Sequence, residues 1–155
     1  MLKPKQLRDA LTKTSPYLQR NPDSFNMFVE HGRIASTLAA SLSFEYQYQL
    51  NIVITDYAGD VDLLVVPILA WLRVNQPDIM ATAEKRQTGY TFKADVISDK
   101  TIDISIDLQL TERVIVKEVD GALHVDHAPE PKEPDNDYAP TQLYAGGQLV
   151  SDWNE

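Results

Sequence analysis

The sequence predicts an α+β domain built on a largely antiparallel, twisted sheet, with a central helix and an N-terminal helix packed on that sheet. Three observations support this fold class. Two segments, 44–55 and 102–110, alternate apolar and polar side chains as half-buried strands do. A ten-residue apolar run, 63–72, lies between them and is interpreted as part of a helix. Because strands precede and follow this helix without strand–helix alternation, an antiparallel sheet is favoured.

The first helix is predicted near the start of the chain. Pro4 suits a first helical turn, and Ser15-Pro16 ends the helix because the residue before proline avoids the α region. Residues 25–29 then alternate in the manner of a strand, and His31-Gly32 is interpreted as a turn that closes it.

The central helix is predicted to begin near Asp60 or Asp62, either of which can cap it, and to end at Asn75-Gln76-Pro77. Pro67 is expected either to start the regular helix or to kink it. The residues expected to face inward are Val61, Leu64, Val65, Ile68, Leu69 and Leu72. Since the other side of this helix is apolar too, a neighbour is expected to cover it.

The strands resume after the helix. Segments 90–96, 102–110 and 114–119 carry further apolar rows, and Asp120-Gly121 predicts a tight hairpin into residues 122–125.

The last part of the chain is predicted to form an extended arm that ends in a β-hairpin. Four of the nine prolines lie between Pro129 and Pro140, among acidic residues, so residues 128–141 are interpreted as an acidic, proline-rich linker. Residues 142–155 are predicted to form a hairpin around Gly146-Gly147, and residues 1–127 form the core domain. Because a lone hairpin is marginally stable in water, it should lie on a partner surface.

Charge is unevenly distributed along the chain. The net charge is −9, but residues 1–20 carry a net +4 and the remainder −13. Phosphate binding requires clustered Lys and Arg, so this balance argues against a general nucleic-acid binder. A basic start on an acidic body favours contact between subunits.

Compartment signals are few. The chain contains no cysteine, which suits a reducing compartment. Its longest apolar run is ten residues, about half of what a membrane span needs, and its start lacks a secretory signal. We therefore expect a protein made in the cytoplasm, without a membrane partner.

The sequence contains few motifs typical of enzymes, and no catalytic, cofactor-binding or metal-binding residue is predicted. His124 and His127 point to opposite faces of a strand, so shared metal ligation is awkward. Asp103 and Asp107 share a strand face, but an alternating polar row is typical of any half-exposed strand. Gly146-Gly147 precedes a strand rather than a helix, so it cannot form a phosphate-binding loop.

The candidate functional residues are therefore interface residues. Aromatic and apolar side chains in a short arm cannot bury one another, and basic residues of the first helix complement the acidic linker. This predicted interface consists of Tyr138, Leu143, Tyr144, Leu149, Val150 and Trp153 in the arm, and of Lys5 and Arg8 in the first helix.

Four segments resemble one known family. They are GRIASTLAASLSFEYQYQLN from Gly32, DLLVVPILAWLRVNQPDIM from Asp62, LTERVIVKEVDGALHV from Leu110 and LYAGGQLVSDW from Leu143. They resemble the tail completion protein R family of P2-like, contractile-tailed bacteriophages, over nearly the whole chain.

The resemblance implies a virion protein that acts late in assembly, after the tail tube and sheath have polymerised. By analogy with tail terminators it implies a homo-oligomeric ring, a hexamer, that caps the head-proximal end of the tail and offers a surface to head–neck completion proteins. It implies no catalytic residues. DNA is expected to pass through the lumen without specific binding. The polar rows, Glu45, Gln47 and Gln49 with Asp103, Ser105 and Asp107, are expected to face either this lumen or a seam between subunits.

Three alternatives stay open. Within the assembly class, the chain is a neck adaptor or assembly factor that never forms the ring. From another class, it is a small metal-dependent hydrolase that uses Asp103, Asp107 and His124. Finally, it is a monomeric module that captures a peptide on a sheet edge.

Overall fold

The computed structural model describes residues 1–131 and 140–153. Its helices are α1 (Lys3–Thr14), α2 (Pro16–Arg20), α3 (Asp62–Asn75) and α4 (Ala83–Thr88), with a 3₁₀ turn at Pro22–Ser24. Its strands are β1 (Phe25–Ala35), β2 (Phe44–Tyr57), β3 (Tyr90–Val96), β4 (Ile102–Val119), β5 (Ala122–His127), β6 (Gln142–Ala145) and β7 (Gln148–Asp152). The predicted α+β class is confirmed. Within the described residues, no helix is long and apolar enough to cross a membrane.

The main sheet is antiparallel and has the order β1-β2-β4-β3, with β5 paired to β4 as well. Strand β4 has 18 residues, which correspond to roughly 60 Å at ~3.3 Å per residue. On one edge of β4, β3 pairs with residues 102–108 and β5 with residues 114–119. In the described chain, residues 109–113 therefore form a gap on this edge that no strand fills.

Helices α1 and α3 pack on one face of the sheet. Period-two alternation places the even-numbered residues of β2 and β4 on that face, as predicted, and their side chains form the core with those of the helices. The largest fully buried side chains include Leu7, Leu11, Leu18, Phe25, Leu50, Ile52, Ile54, Leu64, Ile68, Leu72, Ile104 and Ile106.

The predicted turn at His31-Gly32 is wrong. Strand β1 continues through it to Ala35, and the pairing register with β2 shifts between Glu30 and Arg33. One extra residue on β1 makes this a β-bulge, in which His31 adopts a φ of 51°. A bulge and a tight turn can both place a residue at positive φ, so the local sequence alone does not distinguish them.

Helix α3 has nearly the predicted bounds, and Pro67 lies inside it. Asp60 accepts a hydrogen bond from the Asp62 N–H at 2.9 Å, so it satisfies one free donor at the helix start. The predicted inward face was partly wrong, because Leu69 is exposed whereas Trp71 is buried. The buried side of α3 carries Leu64, Ile68 and Trp71. Val66 and Leu69 lie on the opposite, exposed side of the helix.

Strands β6 and β7 form a two-stranded sheet of their own. Gly146 and Gly147 both have positive φ, 57° and 78°, as a two-residue hairpin turn of type I′ requires. Asp120 and Gly121 make the same kind of turn between β4 and β5, as predicted.

Candidate assembly interface

The sheet extends well beyond the helices that cover it. We call residues 33–35, 44–46 and 113–127 the distal sheet, and residues 48–54 and 104–110 the covered sheet. Register places Ile34, Leu123 and Val125 on the same face as the core, next to Tyr46, Glu118 and Val116 respectively. Yet each of these three side chains is 60–66% exposed. The distal sheet thus continues the apolar face of the core, with Val114 and Val116 buried at its centre and exposed aliphatic side chains at its margins.

A loop, residues 36–43, forms one border of the distal sheet. Ser43 accepts a hydrogen bond from the Val116 N–H at 2.9 Å, and the Ser41 hydroxyl donates to the Val116 carbonyl at 3.1 Å. Serine side chains thus continue the pairing of β4 beyond the first residue of β2. Leu38 and Leu42 on this loop are exposed as well, so the apolar surface extends to its tip.

The opposite face of the sheet, here called the open face, carries the predicted polar rows. Gln49 and Asn51 donate to one carboxylate oxygen of Asp107 at 3.0 and 2.8 Å, and Asn51 donates to Ser105 at 2.8 Å. Asp103 accepts from the Asp56 N–H at 2.8 Å. These side chains are half-buried and bind one another, so they form a hydrogen-bonded polar surface rather than a set of free reactive groups.

The geometry does not bring together the residues of the hydrolase alternative. His124 lies opposite Lys117, whereas Asp107 lies ten positions earlier on β4, roughly 33 Å away at ~3.3 Å per residue. Among the described residues, no group of three His, Asp or Glu side chains is arranged to hold a metal ion.

A buried polar junction lies where the covered sheet meets the distal sheet. It consists of Lys3, Tyr48, Gln76, Glu112 and Glu130. Lys3 is the first residue of α1, and its ammonium group donates to Gln76 Oε1 at 2.7 Å, to the Thr111 carbonyl at 2.6 Å and to Glu130 Oε1 at 2.8 Å. Gln76 Oε1 also accepts from the Thr111 N–H at 3.1 Å. The side chains of Lys3 and Gln76 therefore provide hydrogen-bond partners for the Thr111 carbonyl and N–H, in the gap between β3 and β5.

Glu112 is the second charged residue of the junction, and it is buried. One carboxylate oxygen accepts from the N–H groups of Leu2 and Lys3, at 2.6 and 3.3 Å, so Glu112 caps α1 from the sheet. Its other oxygen accepts from the Tyr48 hydroxyl at 2.5 Å. Burial, with this hydrogen bond, raises the pKa of Tyr48, which keeps the hydroxyl protonated as a donor.

Sequence reasoning missed this junction, although one signal could have found it. From Ile102 to Val116 the inward row of β4 consists of aliphatic residues except at Glu112, and a carboxylate at a buried inward position needs donors. Residues 102–110 and 114–119 were treated as two separate apolar rows. Glu112 lies between these rows, so its position on the inward face was not recognised.

The chain leaves the core through the junction. The Ala128 N–H donates to the Arg113 carbonyl at 2.9 Å, and Glu130 pairs with Lys3. The first three residues of the predicted linker are therefore held on the core.

A cleft of about 410 Å³ adjoins the junction. Asp78 lines it and accepts from Gln76 at 2.8 Å and from Lys85 at 3.2 Å. Burial raises the pKa of Asp78, but these hydrogen bonds and the Lys85 charge outweigh burial, so the net effect lowers the pKa. Asp78 thus joins α4 to the junction as a carboxylate.

The predicted interface residues have different surroundings. Tyr144 and Leu149 are exposed cross-strand partners in the hairpin, while Leu143, Val150 and Trp153 are half-buried. Tyr138 lies outside the described residues.

The two basic residues predicted for the interface have partners within α1 and β1. Lys5 pairs with Asp9 at 2.8 Å on the exposed side of the helix. Arg8 donates to the Phe25 carbonyl at 2.9 Å and lies 4.5 Å from the centre of the Phe25 ring. Arg8 thus fastens α1 to β1, and Lys5 is the more accessible of the two.

Comparison of the sequence with known proteins shows the family of the chain. A model of the P2 phage tail completion protein R (GpR) family matches residues 1–131. The chain is also 57% identical to tail completion protein R of Escherichia phage P2 over 155 residues, which are 100% of each chain. No solved structure matches. The chain therefore belongs to the P2 phage tail completion protein R family.

Proposed function

We propose that this protein completes the phage tail as a structural, non-enzymatic component of the virion. Copies of the chain form a ring, a hexamer, that caps the head-proximal end of the tail tube. The observation that carries this function is the full-length identity of 57% to a tail completion protein. Its partners are other copies of itself, the tube and sheath proteins, and the head–neck completion proteins.

The surfaces of the domain support assembly. The margins of the distal sheet and the outer side of α3 expose aliphatic side chains, and removing such area from water upon association is favourable. The open face offers hydrogen-bonded amides and carboxylates, a surface that suits a ring lumen in which DNA passes without being held.

We propose three functional parts of the chain. Residues 1–127 form the core that builds the ring, residues 128–141 form the linker, and residues 142–155 form an arm that binds in trans. Ala128 and Glu130 are fixed to the core, so the proposed linker starts with residues that the core holds.

Complementation of a phage that lacks this gene tests the proposed function. Tails made with the protein should have uniform length and join heads, and tails made without it should fail to join, as seen by electron microscopy. Immunogold labelling should locate the protein at the head-proximal end. Tails of normal length that lack the protein, with the label on the neck instead, would support the neck-adaptor alternative.

A second experiment tests the absence of catalysis. Replacing Asp103 and Asp107 with Asn keeps the size of both side chains and removes their charge. Complementation should stay near normal. If it is lost while light scattering shows an intact oligomer, a chemical role for these carboxylates is favoured.

A further inference from the structure

We propose that copies of the chain assemble head to tail, with the free edge of β1 in one copy paired to the free edge of β3 in the next. The pairing segments are residues 27–30 and 93–96. This inference rests on the proposed function, because it requires the chain to form a ring with itself. It names the contact that builds the ring.

Both outer strands of the main sheet have an unpaired edge. Along the order β1-β2-β4-β3, the strands β1 and β3 lie at the two ends, and in the described part of the chain no further strand pairs with either of them. Apolar side chains on both strands are exposed as well, Phe28 and Val29 on β1, and Phe92 and Val96 on β3. An exposed, apolar edge strand is a template for pairing with another chain.

The hydrogen-bond pattern of the sheet shows which backbone groups these edges offer. The Gln109 N–H donates to the Gly89 carbonyl at 3.0 Å, so the odd-numbered residues of β4 direct their backbone groups towards β3. By the registers of the sheet, the even-numbered residues of β3 and the odd-numbered residues of β1 before its bulge then direct theirs outward. Met27 and Val29 on β1, like Ala94 on β3, therefore present N–H and C=O groups at the free edges.

The number of strands between the two edges makes head-to-tail pairing antiparallel. Four strands lie along the path from β1 to β3, each antiparallel to its neighbour, so the two outer strands run in opposite directions. When the next copy places its β1 beside β3 in the same orientation, the antiparallel pattern continues across the contact. The open faces of all copies then lie on one side of a continuous sheet. A head-to-tail contact of this kind forms a ring when its rotation closes.

Two features limit the part of the β1 edge that a neighbour can use. At one end, the Phe25 carbonyl already accepts a hydrogen bond from Arg8. At the other end, the bulge at His31 interrupts the regular strand. The regular free edge of β1 therefore consists of residues 27–30.

Charge and side-chain size select the register of the pairing. Glu30 opposite Lys93 brings two exposed, oppositely charged side chains together on the open face. In the same register Val29 lies opposite Ala94 on the apolar face. A shift of two residues in one direction would place Glu30 opposite Asp95, and like charges in such a pair are destabilising. A shift in the other direction removes the charged pair.

An engineered disulfide tests this contact, because the chain contains no cysteine of its own. Glu30 and Lys93 would form a non-hydrogen-bonded pair with Cα atoms ~4.5 Å apart, a separation that a disulfide spans. Within one chain the two sites lie on opposite edges of the sheet, roughly 14 Å apart or more at ~4.8 Å per strand, so a disulfide in cis is excluded. We expect a chain with Glu30→Cys and Lys93→Cys, oxidised in virions purified after complementation, to give a ladder of covalent multimers on a non-reducing gel.

The matched control combines Glu30→Cys with Lys117→Cys. Lys117 is also an exposed lysine on the open face, but it lies on β4 beside β5, away from both free edges, so this variant should give monomer. Virions that contain the Glu30→Cys, Lys93→Cys chain as monomer after oxidation overturn the proposed contact and leave tail completion intact. A covalent dimer from Glu30→Cys alone shows pairing about a two-fold axis and also overturns it. Failure of the unchanged chain to complement a phage that lacks the gene counts against the proposed function instead.

Charge reversal provides an independent check. Glu30→Lys and Lys93→Glu should each reduce the number of tails joined to heads, because each places like charges opposite each other in every contact of the ring. The two changes combined in one chain should restore joining, while circular dichroism of all three purified variants stays native. A double variant that joins no better than either single variant contradicts the pairing of these two residues.

Discussion

The covered sheet and the distal sheet share strands β2 and β4 and the same alternation of apolar residues, yet they differ in how much of their apolar face is buried. In the distal sheet Val114 and Val116 are buried, but the margins are exposed. On β4, Leu108 is fully buried under the helices, whereas Leu123, on the β5 strand paired to the far end of β4, is 60% exposed. A period-two pattern therefore shows which face of a strand is apolar, but the helices decide how much of that face the monomer buries. Ile34, Leu123 and Val125 are the part of this face that stays exposed in the monomer.

The largest expected difference between the two regions comes from replacing one leucine in each of them with alanine. Leu108→Ala should lower the free energy of unfolding of the isolated protein by about 3 kcal/mol, since it leaves a cavity under the helices. Leu123→Ala should lower it by about 0.5 kcal/mol or less. Urea unfolding followed by circular dichroism measures both. Equal losses would mean that Leu123 is packed in the monomer as tightly as Leu108.

The junction between the two regions should be the next most sensitive site. Lys3→Met keeps the length of the side chain but leaves the Gln76, Thr111 and Glu130 acceptors without their donor, which should cost about 2 kcal/mol. Lys5→Met is the matched control in the same helix, and its exposed pair with Asp9 should contribute almost nothing. The same unfolding assay applies, and a smaller loss for Lys3→Met than for Lys5→Met would contradict the assigned role.

The tip of the distal sheet gives a smaller effect. Gly121 has a φ of 76° with open space around it, so an added Cβ meets no atom but strains the backbone. Gly121→Ala should cost about 1 kcal/mol. Gly32→Ala is the comparison, because Gly32 is not among the residues with positive φ and its added Cβ makes only ordinary contact, 4.0 Å from the Tyr48 Cβ. Thermal unfolding should rank Gly121→Ala as the less stable variant.

The smallest effect at neutral pH concerns Tyr57 in the covered part of the fold. Burial, together with the nearby Asp60 charge, raises the pKa of Tyr57 to about 12 from its ordinary value of 10. The folded state therefore holds this proton more tightly than the unfolded chain, so stability is complete below pH 10 and falls as the pH rises towards 12. Tyr57→Phe should flatten this fall in urea unfolding measured from pH 9 to 12. An unchanged slope would assign the alkaline loss to another group, such as Tyr48.

Local patterns predicted the elements of this fold better than their contacts. The alternation of residues 44–55, the Asp120-Gly121 turn and the end of α3 were read correctly, because each depends on neighbouring residues. The bulge at His31 was missed, since only the pairing with β2 distinguishes it from a turn.

The junction could not be predicted from local sequence patterns either, because its contacts join residues that are far apart in the sequence. Lys3 finds its acceptors 73, 108 and 127 positions away. A sequence pattern can identify Glu112 as an anomaly in an apolar row, but it cannot show that the partner is the first turn of a helix. The interface residues in the arm remain a prediction for the same reason, since a partner distant in sequence or on another chain leaves no local pattern.

The long-range capping of α1 also has a consequence for synthesis on the ribosome. The backbone N–H of Leu2 and its acceptor on Glu112 are 110 positions apart, and the Lys3 ammonium group and Glu130 are 127 apart. The N-terminal helix is made first, yet it receives its cap only when most of β4 has emerged, and its ion pair only when the arm begins to appear. A nascent chain released before residue 112 therefore retains an uncapped, basic helix, and the ion pair with α1 forms only after residue 130 has been made.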